Sequence, residues 1–344
     1  MNNLTLILAI ILSLLGIFVQ TLFGLDFALT QLSFLLLSLV IYLLIKKLEV
    51  DFLIKLTPFF TGLGILLLAL LFVIGDPIRG AKRWFVLFGF NLQPSVIFLP
   101  FFILFISIKL YLLKSRYFSD LLKILGLIII PVFLVFKQPD LGTAVVLLFS
   151  LGAITYNAGF KINHYLKLIF IASPGAVLLS RFLKTYQLQR LVSFLNPQYD
   201  PSGINYNSLQ SVIAIGSGFI FGKGFHAASQ SKLLFLPEAH TDFAFATFVE
   251  AFGLLGASLV LSLQFYLLIL LLKQSQQQKY SPIFRYYTFG VLAFFFIQTV
   301  FNVGMNLRLL PVVGVPLPFI SYGGSSLLSN FILLSLSAKL KELG

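Results

Sequence analysis

Cysteine is absent from this chain of 344 residues, which excludes disulfide bridges and thiolate metal sites. Charged residues are scarce, at 10% of the sequence compared with about 25% in ordinary soluble domains. The histidines, His164, His226 and His240, are too scattered along the sequence to indicate a zinc site. Glycine-rich nucleotide loops and the His-Glu-x-x-His motif are also missing. Any chemistry therefore has to draw its energy from an activated substrate.

Apolar residues make up 59% of the sequence, and 40 residues are phenylalanine. Apolar runs of about 20 residues recur along the chain, the length that crosses a bilayer as a helix. Backbone groups in lipid must be satisfied within their own segment, so we predict an all-α polytopic membrane protein with about ten transmembrane helices. The predicted spans are residues 4–24, 29–45, 55–74, 95–113, 121–136, 142–159, 164–181, 243–272, 284–306 and 314–338.

The basic residues outside the long loop concentrate on one face of the predicted bundle. They are Lys46, Lys47, Lys55, Lys109, Lys114, Arg116, Lys123, Lys161, Lys167, Lys273, Lys279, Arg285, Lys339 and Lys341. Such an excess marks the cytoplasmic side, so both termini are predicted to lie inside. Residues 182–240 then form a large extracytoplasmic loop within a single transmembrane domain, residues 1–344. The net charge of +13 reflects this topology and attraction to anionic lipid, and it does not indicate nucleic-acid binding.

Acidic residues sort to the outer face, where a carboxylate at the membrane boundary is costly and is a candidate for function. The densest polar group is Leu236-Pro237-Glu238-Ala239-His240-Thr241-Asp242-Phe243, at the start of a long apolar helix. Asp242 is the main candidate for chemistry, and a carboxylate that only caps the helix is the alternative. Glu250 lies two turns further along and should face a cavity or a cationic partner.

Two further segments depart from a plain spanning helix. In the outer loop, Tyr206–Ile213 has the spacing of a short interfacial helix, and several glycines follow it. This loop is either functional or a simple cap over the bundle. Leu310–Ser326 contains prolines and glycines that cannot continue a regular helix. Irregular backbone at membrane depth is buried in protein or lines a cavity, and a kinked helix entry is the alternative.

Two more candidates lie in short outer loops. Arg83 and Trp84 are an interfacial anchor or a phosphate-binding pair, and the residues alone do not decide between these functions. Asp140, in Gln138–Thr143, is explained most simply as the N-cap of the following span.

Four motifs occur in a fixed order along the chain. They are Gln138-Pro139-Asp140-Leu141-Gly142-Thr143, Ala214-Ile215-Gly216-Ser217-Gly218, Leu236-Pro237-Glu238-Ala239-His240-Thr241-Asp242-Phe243 and Pro316-Leu317-Pro318-Phe319-Ile320-Ser321-Tyr322-Gly323-Gly324-Ser325. Together they resemble the SEDS family (shape, elongation, division and sporulation) over essentially the whole chain. Pro311–Pro316 and Gly222–Gly224 look more like its elongation branch than its division branch.

The resemblance implies a peptidoglycan glycosyltransferase that polymerises lipid II into β-1,4 glycan strands during cell elongation. Such proteins work on the outer face of the bacterial cytoplasmic membrane, together with a class B penicillin-binding protein. The essential aspartate of the family matches Asp242, which could take the proton from the acceptor 4-hydroxyl. One carboxylate without a covalent intermediate implies inversion at the anomeric carbon. No cofactor is required, and a divalent cation is left open.

The expected substrate-binding residues are Arg83, Trp84, Asp140, Arg190, Lys223, His240, Glu250 and Ser321, with Arg83, Arg190 and Lys223 as candidates for the pyrophosphate. The chain departs from the family pattern after Gln93-Pro94-Ser95, where Val96 and Leu99 replace a common Glu and Lys. Losing both partners together is tolerable, because an apolar pair can replace a buried ion pair.

Three alternatives stay open at this point. A lipid II flippase would also use discontinuous helices and polar residues at membrane depth. A division-type polymerase shares the Asp242 motif with the elongation branch. A catalytically silent scaffold for the penicillin-binding partner is disfavoured by the intact motif.

Overall fold

The computed structural model describes residues 2–78, 81–87, 90–180, 194, 205–233 and 235–343. Its helices are α1 Asn2–Gln20, α2 Leu25–Lys47, α3 Val50–Ile74, α4 Pro94–Leu112, α5 Phe118–Lys137, α6 Leu141–Asn157, α7 Ile162–Ser180, α8 Tyr206–Ser217, α9 Gly224–Ala227, α10 Ser229–Lys232, α11 Ala244–Ser275, α12 Pro282–Asn306 and α13 Gly324–Leu340. A 3-10 turn at Lys341–Leu343 follows α13.

The predicted class, an all-α polytopic membrane protein, is confirmed. In the described part of the chain, 7 helices are long and apolar enough to cross a membrane, and shorter apolar helices lie at Leu141–Asn157 and Ile162–Ile171. Together with α13, of 17 residues, they lie at the positions of the predicted spans.

Two predicted spans have different boundaries in the structure. The last helix begins at Gly324 and not at residue 314, because Leu310–Gly323 forms turns and irregular backbone. The span predicted at 243–272 is interrupted at Gly253, whose φ of 64° and ψ of −163° are not helical. Glycine adopts this conformation without the steric cost of a side chain.

A small antiparallel sheet joins α3 to α4 and was not predicted. Its strands are β1 Asp76–Ile78, β2 Ala81–Leu87 and β3 Phe90–Leu92, in the order β1-β2-β3. Strands this short show too little alternation to stand out between two apolar helices. The sheet is tied to the start of α13, where Ser325 Oγ donates to the Asn91 carbonyl at 3.1 Å and accepts from the Gln93 amide at 3.0 Å. Arg83 and Trp84 lie on β2.

A glycine contact and a cluster of phenylalanine rings pack the bundle around the irregular segment Leu310–Gly323. An added Cβ at Gly324 would come within 2.4 Å of the Phe34 ring, so glycine lets α13 approach α2. Phe319 packs against Phe295 and Phe331, with ring centroids 5.2 and 5.7 Å apart. These contacts hold Leu310–Gly323 between α12 and α13.

The same packing explains the run Phe294-Phe295-Phe296 on α12. Phe294 and Phe295 are buried in the protein core, whereas the Phe296 side chain is 44% exposed. Core packing therefore accounts for most of this aromatic density, and only Phe296 of the three is available to a partner helix.

The apolar pair that replaces the family's Glu and Lys lies on α4. Leu99 is 1% exposed in the core, and Val96 is half-buried with its carbonyl accepting from Ser329 Oγ at 2.7 Å. We expect Leu99→Lys to lower the free energy of unfolding by about 3–5 kcal/mol, because it buries an unpaired charge. Adding Val96→Glu one turn earlier should recover part of this loss.

Thermal unfolding in detergent measures both effects. The matched control is Leu112→Lys on the same helix, because Leu112 is 63% exposed and its replacement can extend its ammonium to the interface. Equal melting temperatures for the parent, Leu99→Lys and the double variant would contradict the argument for a buried pair.

Candidate active site

A tight turn at Leu236–Phe243 leads into α11. The amides of Thr241 and Phe243 both donate to the Glu238 carbonyl at 3.1 Å, and Glu238 itself has a φ of 56°. Thr241 Oγ1 also donates to Glu238 Oε2 at 2.8 Å. These bonds explain why a polar cluster precedes the apolar helix, since the hydroxyl and carboxyl groups stabilise a strained turn.

Two buried asparagines on α12 hold the backbone of Asp242. Asn302 Nδ2 and Asn306 Nδ2 donate to the Asp242 carbonyl at 2.9 and 3.1 Å, and both side chains are fully buried. Asn306 Oδ1 also accepts from the Ala246 amide at 3.0 Å. Neither asparagine was predicted as part of the site. Two asparagines one turn apart in an apolar helix are the signal that could have found them.

The Asp242 side chain is half-buried and faces the Leu310–Gly323 segment. A Cβ added at Gly314 would lie 3.3 Å from Asp242 Oδ2, and Gly314 has a φ of 70°. Asn302 Nδ2 also donates to the Val315 carbonyl at 2.8 Å, so one side chain joins Asp242 to this segment. Glycine at position 314 therefore permits both the backbone conformation and the close approach of the carboxylate.

His240 lies among aromatic rings beside Asp242. The centroid of its ring is 5.6, 5.3 and 5.7 Å from the rings of Phe23, Phe27 and Tyr322. Its carbonyl accepts from the Tyr322 amide at 2.9 Å and from Gln20 Nε2 at 3.2 Å. The turn at Leu236–Phe243 is thereby fixed to α1, to α2 and to the end of Leu310–Gly323.

Ser321 occupies a structural position in the same segment. Its side chain is buried, and its Oγ accepts from the Leu317 amide at 2.9 Å, which closes a turn after Pro316. A contact between Ser321 and substrate stays a prediction.

Asp140 forms the centre of a second part of the site. Its carboxylate accepts from the Thr143 amide at 3.1 Å, which makes it the N-cap of α6, and from Gln93 Nε2 at 2.9 Å. Arg83 Nη1 lies 3.7 Å from Asp140 Oδ1. Its Nε donates to the Gln138 carbonyl at 2.9 Å, and its Nη2 donates to the Pro139 carbonyl. The Arg83 side chain remains 26% exposed beside these partners.

The two parts of the site meet at Val313. A Cβ added at Gly142 would lie 2.5 Å from the Val313 carbonyl, and one added at the next residue, Gly314, would lie 3.3 Å from Asp242 Oδ2. The Asp140 motif, with Arg83 beside it, and Asp242 therefore approach the same segment. Trp84 follows Arg83 on β2 and lies opposite Asp76 in the sheet.

Glu250, further along α11, forms a separate cluster with Lys223, which lies just before α9. Glu250 is fully buried and accepts from the amides of Gln230 and Ser231 at 2.9 and 3.0 Å, and from Ser231 Oγ at 2.7 Å. Lys223 Nζ lies 3.9 Å from Glu250 Oε1, which supplies the cationic partner expected for this acid.

Arg190 lies outside the described residues. Among the described residues, no three His, Asp or Glu side chains cluster in a way that could hold a metal ion.

The fold and this arrangement define a polytopic helical membrane protein with a carboxylate site where extramembrane turns meet the bundle. The FtsW/RodA/SpoVE family model, described as "Cell cycle protein", matches residues 1–342. The chain belongs to this family, the SEDS family, as its motifs predicted.

Curated relatives and solved structures agree with this assignment. The chain is 38% identical over 310 residues to the putative peptidoglycan glycosyltransferase FtsW of Cyanophora paradoxa, covering 88% of this chain and 76% of that protein. It is 35% identical over 320 residues to the probable peptidoglycan glycosyltransferase FtsW of Aliivibrio salmonicida, covering 90% and 78%. The predicted enzyme class, peptidoglycan glycosyltransferase, is confirmed by these relatives.

Two solved structures share the fold over nearly the full length. A chain from a peptidoglycan synthase complex that coordinates polymerization and crosslinking is 29% identical, with a TM-score of 0.84 and coverage of 98% of this chain and 96% of that chain. The rod shape determining protein RodA of Thermus thermophilus is 25% identical, with a TM-score of 0.70 and coverage of 98% and 94%. The predicted elongation branch is not specifically confirmed, because the curated relatives are named FtsW, although RodA shares the fold.

Proposed function

We propose that this chain polymerises lipid II into β-1,4 glycan strands on the outer face of the bacterial cytoplasmic membrane, as a division-type SEDS polymerase. The observation that carries the proposal is the placement of Asp242, whose backbone is fixed by Asn302 and whose half-buried carboxylate faces Gly314. The FtsW names of the relatives favour the division type. The motifs Pro311–Pro316 and Gly222–Gly224 are the features that favour the elongation type.

In the proposed reaction, Asp242 accepts the proton of the acceptor 4-hydroxyl as its oxygen attacks the anomeric carbon of the donor. The bond from that carbon to the undecaprenyl pyrophosphate breaks, and the pyrophosphate leaves with the electron pair. Direct displacement inverts the anomeric centre, so an α-linked donor gives a β-linked product. The leaving group is already activated, so no nucleotide is consumed.

The leaving pyrophosphate needs positive charge, and Arg83 is our candidate, because it lies beside Asp140 in the motif that contacts the same Leu310–Gly323 segment as Asp242. Its guanidinium is oriented by the Gln138 carbonyl and by Asp140, and part of it stays accessible. Arginine suits this task because its planar group binds phosphate oxygens in pairs. We assign Asp140 to the positioning of Arg83, while Trp84 and His240 supply ring surfaces at the margin of the site.

The proposal is tested by incubating purified protein, with its penicillin-binding partner, with labelled lipid II. The expected result is a ladder of glycan polymer on a gel. A flippase would instead move lipid II across vesicle membranes and make no polymer under the same conditions. That outcome would show that the protein is a lipid II transporter and not a polymerase.

The proposed partner is a class B penicillin-binding protein whose single transmembrane helix packs against α11 and α12. Phe296, Val300 and Phe265 present exposed apolar side chains on these helices, at 44%, 41% and 53%. We expect Phe296→Ala to reduce co-purification roughly tenfold, since an aromatic anchor at an interface contributes at least 1–2 kcal/mol.

The matched control for the partner surface is Phe133→Ala on α5, where the ring is 54% exposed and far along the chain from α11 and α12. This variant should keep normal co-purification. Equal loss in both variants, or no loss in either, would place the docking surface elsewhere.

The proposed topology has both termini in the cytoplasm. A single cysteine at Lys232, an exposed residue of the outer loop, should react with an impermeant thiol reagent in intact spheroplasts. A cysteine at the exposed Gln276, between α11 and α12, should react only after membrane disruption. The chain has no cysteine of its own, so each reaction reports one site. The reverse pattern would invert the topology.

A further inference from the structure

The break in α11 at Gly253 is filled by the backbone of another segment, Gly218–Gly222, here called the wedge loop. The amides of Leu254 and Leu255, just after the break, donate to the carbonyls of Phe219 and Ile220 at 2.8 and 3.1 Å. In return the Lys223 amide donates to the Glu250 carbonyl at 2.9 Å. The wedge loop thus satisfies the backbone groups that the helix loses at its break.

Glycines allow the wedge loop to come this close. A Cβ added at Gly218 would lie 2.2 Å from the Val249 carbonyl oxygen, and one at Gly222 would lie 2.2 Å from that of Ala251. Phe219 adopts a φ of 45°, which is costly for a residue with a bulky side chain. The close contacts and the hydrogen bonds therefore hold the loop in one position against α11.

The tip of the wedge loop is apolar and exposed. Phe219, Ile220 and Phe221 are 82%, 55% and 79% exposed. Leu254 and Leu255, which bond to the loop, are 60% and 56% exposed, so the tip continues the lipid-facing surface of α11. Large aromatic side chains held outward on a fixed backbone are unfavourable in water, and they suit the boundary between headgroups and hydrocarbon.

Helix α8, which leads into the wedge loop, also presents apolar side chains outward. It buries Ser208 and Ser211 against the protein, and Ser211 Oγ donates to the Asn306 carbonyl at 2.9 Å. Its apolar Val212 and Ile213 are 39% and 42% exposed. A helix that turns hydroxyls inward and branched apolar side chains outward lies with its outer face against lipid.

The length of α11 places the wedge loop at the outer boundary of the hydrocarbon. From Gly253 to Lys273 the helix is roughly 30 Å long, which equals the thickness of the hydrocarbon core. With Lys273 at the cytoplasmic boundary, Gly253 and the wedge loop lie at the outer boundary. Lys223, directly after the loop and 31% exposed, then reaches the level of the lipid phosphates.

We propose that the wedge loop inserts Phe219, Ile220 and Phe221 among the acyl chains of the outer leaflet and thereby fixes the height of the outer turns, and with them Asp242, relative to the bilayer. The segment Ala244–Phe252 does not continue α11 further outward, because Asn302, which binds the Asp242 carbonyl, lies only roughly 25 Å along α12 from Arg285, and Arg285 contacts the end of α11 at Ser275. Asp242 is then held at the outer boundary of the bilayer, where the headgroup of a lipid-linked substrate lies. This last step rests on the proposed polymerase function.

The insertion is tested with single cysteines carrying a polarity-sensitive fluorophore in the full chain, reconstituted into phosphatidylcholine vesicles. Probes at Phe221 and at Leu254 should show blue-shifted emission and strong quenching by lipids spin-labelled on the acyl chain. A probe at Lys232, exposed on α10, is the control and should show neither. An unquenched Phe221 probe, together with an unlabelled Phe221→Cys thiol that reacts with impermeant thiol reagents as fast as that of Lys232→Cys, would overturn the proposal.

Two further measurements distinguish insertion into lipid from contact with a partner protein and test whether insertion fixes the height of the outer turns. Adding the penicillin-binding partner should leave the quenching at Phe221 unchanged, and loss of quenching would show that the loop contacts protein instead of lipid. In the double variant Phe219→Ser with Phe221→Ser, energy transfer from a Lys232 probe to headgroup acceptors should change, because the outer turns are no longer held at one height. Unchanged transfer would remove the height-setting role. Neither arm needs polymer synthesis, so a failed polymerase assay and a failed insertion assay are distinguishable.

Discussion

Asp242→Asn should fold, bind its partner helix and bind lipid II, yet lose polymer synthesis by about 10²–10⁴-fold, the usual contribution of a general base. Asparagine keeps the size of the side chain, and the bonds from Asn302 and Asn306 go to the backbone carbonyl of residue 242, which the substitution leaves in place. The amide cannot accept the proton of the sugar hydroxyl. Gel-resolved glycan from labelled lipid II measures the loss, with partner co-purification as the test of folding.

The matched control is Glu238→Gln in the same turn. Its side-chain oxygen accepts from Thr241 Oγ1, and an amide oxygen can still accept that bond. We therefore expect the control to keep most of the activity. Comparable polymer from Asp242→Asn and the parent protein would remove Asp242 from the mechanism, and equal loss in both variants would point to the shape of the turn instead of its proton acceptor.

The fold could largely be predicted because one physical constraint dominates it. Apolar runs must form helices in lipid, so the spans, the helix over Tyr206–Ile213 and the irregular Leu310–Ser326 were all recognisable from composition. The sheet at Asp76–Leu92 and the break at Gly253 were not. Two of the three strands have only 3 residues, too few to show an alternating pattern. The break depends on pairing with the wedge loop about 30 residues earlier, and local periodicity carries no record of that pairing.

The motifs of the candidate site could be predicted from the sequence, but most of the contacts between their side chains could not. Asp242 and Asp140 were identified by charge at the outer boundary, whereas their neighbours follow from the tertiary fold. Glu250 was expected to need a cationic partner, and Lys223 lies 3.9 Å away. The backbone amides of Gln230 and Ser231 that also bind Glu250 could not be foreseen. Arg83 likewise proved to be oriented by carbonyls of the Gln138–Thr143 motif.

The second large effect is expected from Asn302, which holds the backbone of Asp242: Asn302→Leu should lower both stability and polymer synthesis. Asn302→Leu removes the donor to the Val315 carbonyl, and leaving a buried acceptor unsatisfied costs about 1–3 kcal/mol of unfolding free energy. It also weakens the hold on Asp242, although Asn306 still donates to the same carbonyl. A catalytic group displaced by about 1 Å can lose 10²-fold in rate, so we expect polymer synthesis to fall about 100-fold while partner binding persists. Thermal unfolding and the glycan gel measure the two effects.

The control for this variant lies on the same helix. Gln298, one turn before Asn302, is also buried, and its side-chain oxygen has no hydrogen-bond partner. Gln298→Leu should therefore be neutral or stabilising and leave synthesis near the parent level. Asn302→Leu with Asn306→Leu should lose more stability than the single losses added together, because only then does the Asp242 carbonyl lose both donors. Strict additivity, with synthesis unchanged in Asn302→Leu, would show that the position of Asp242 does not depend on α12.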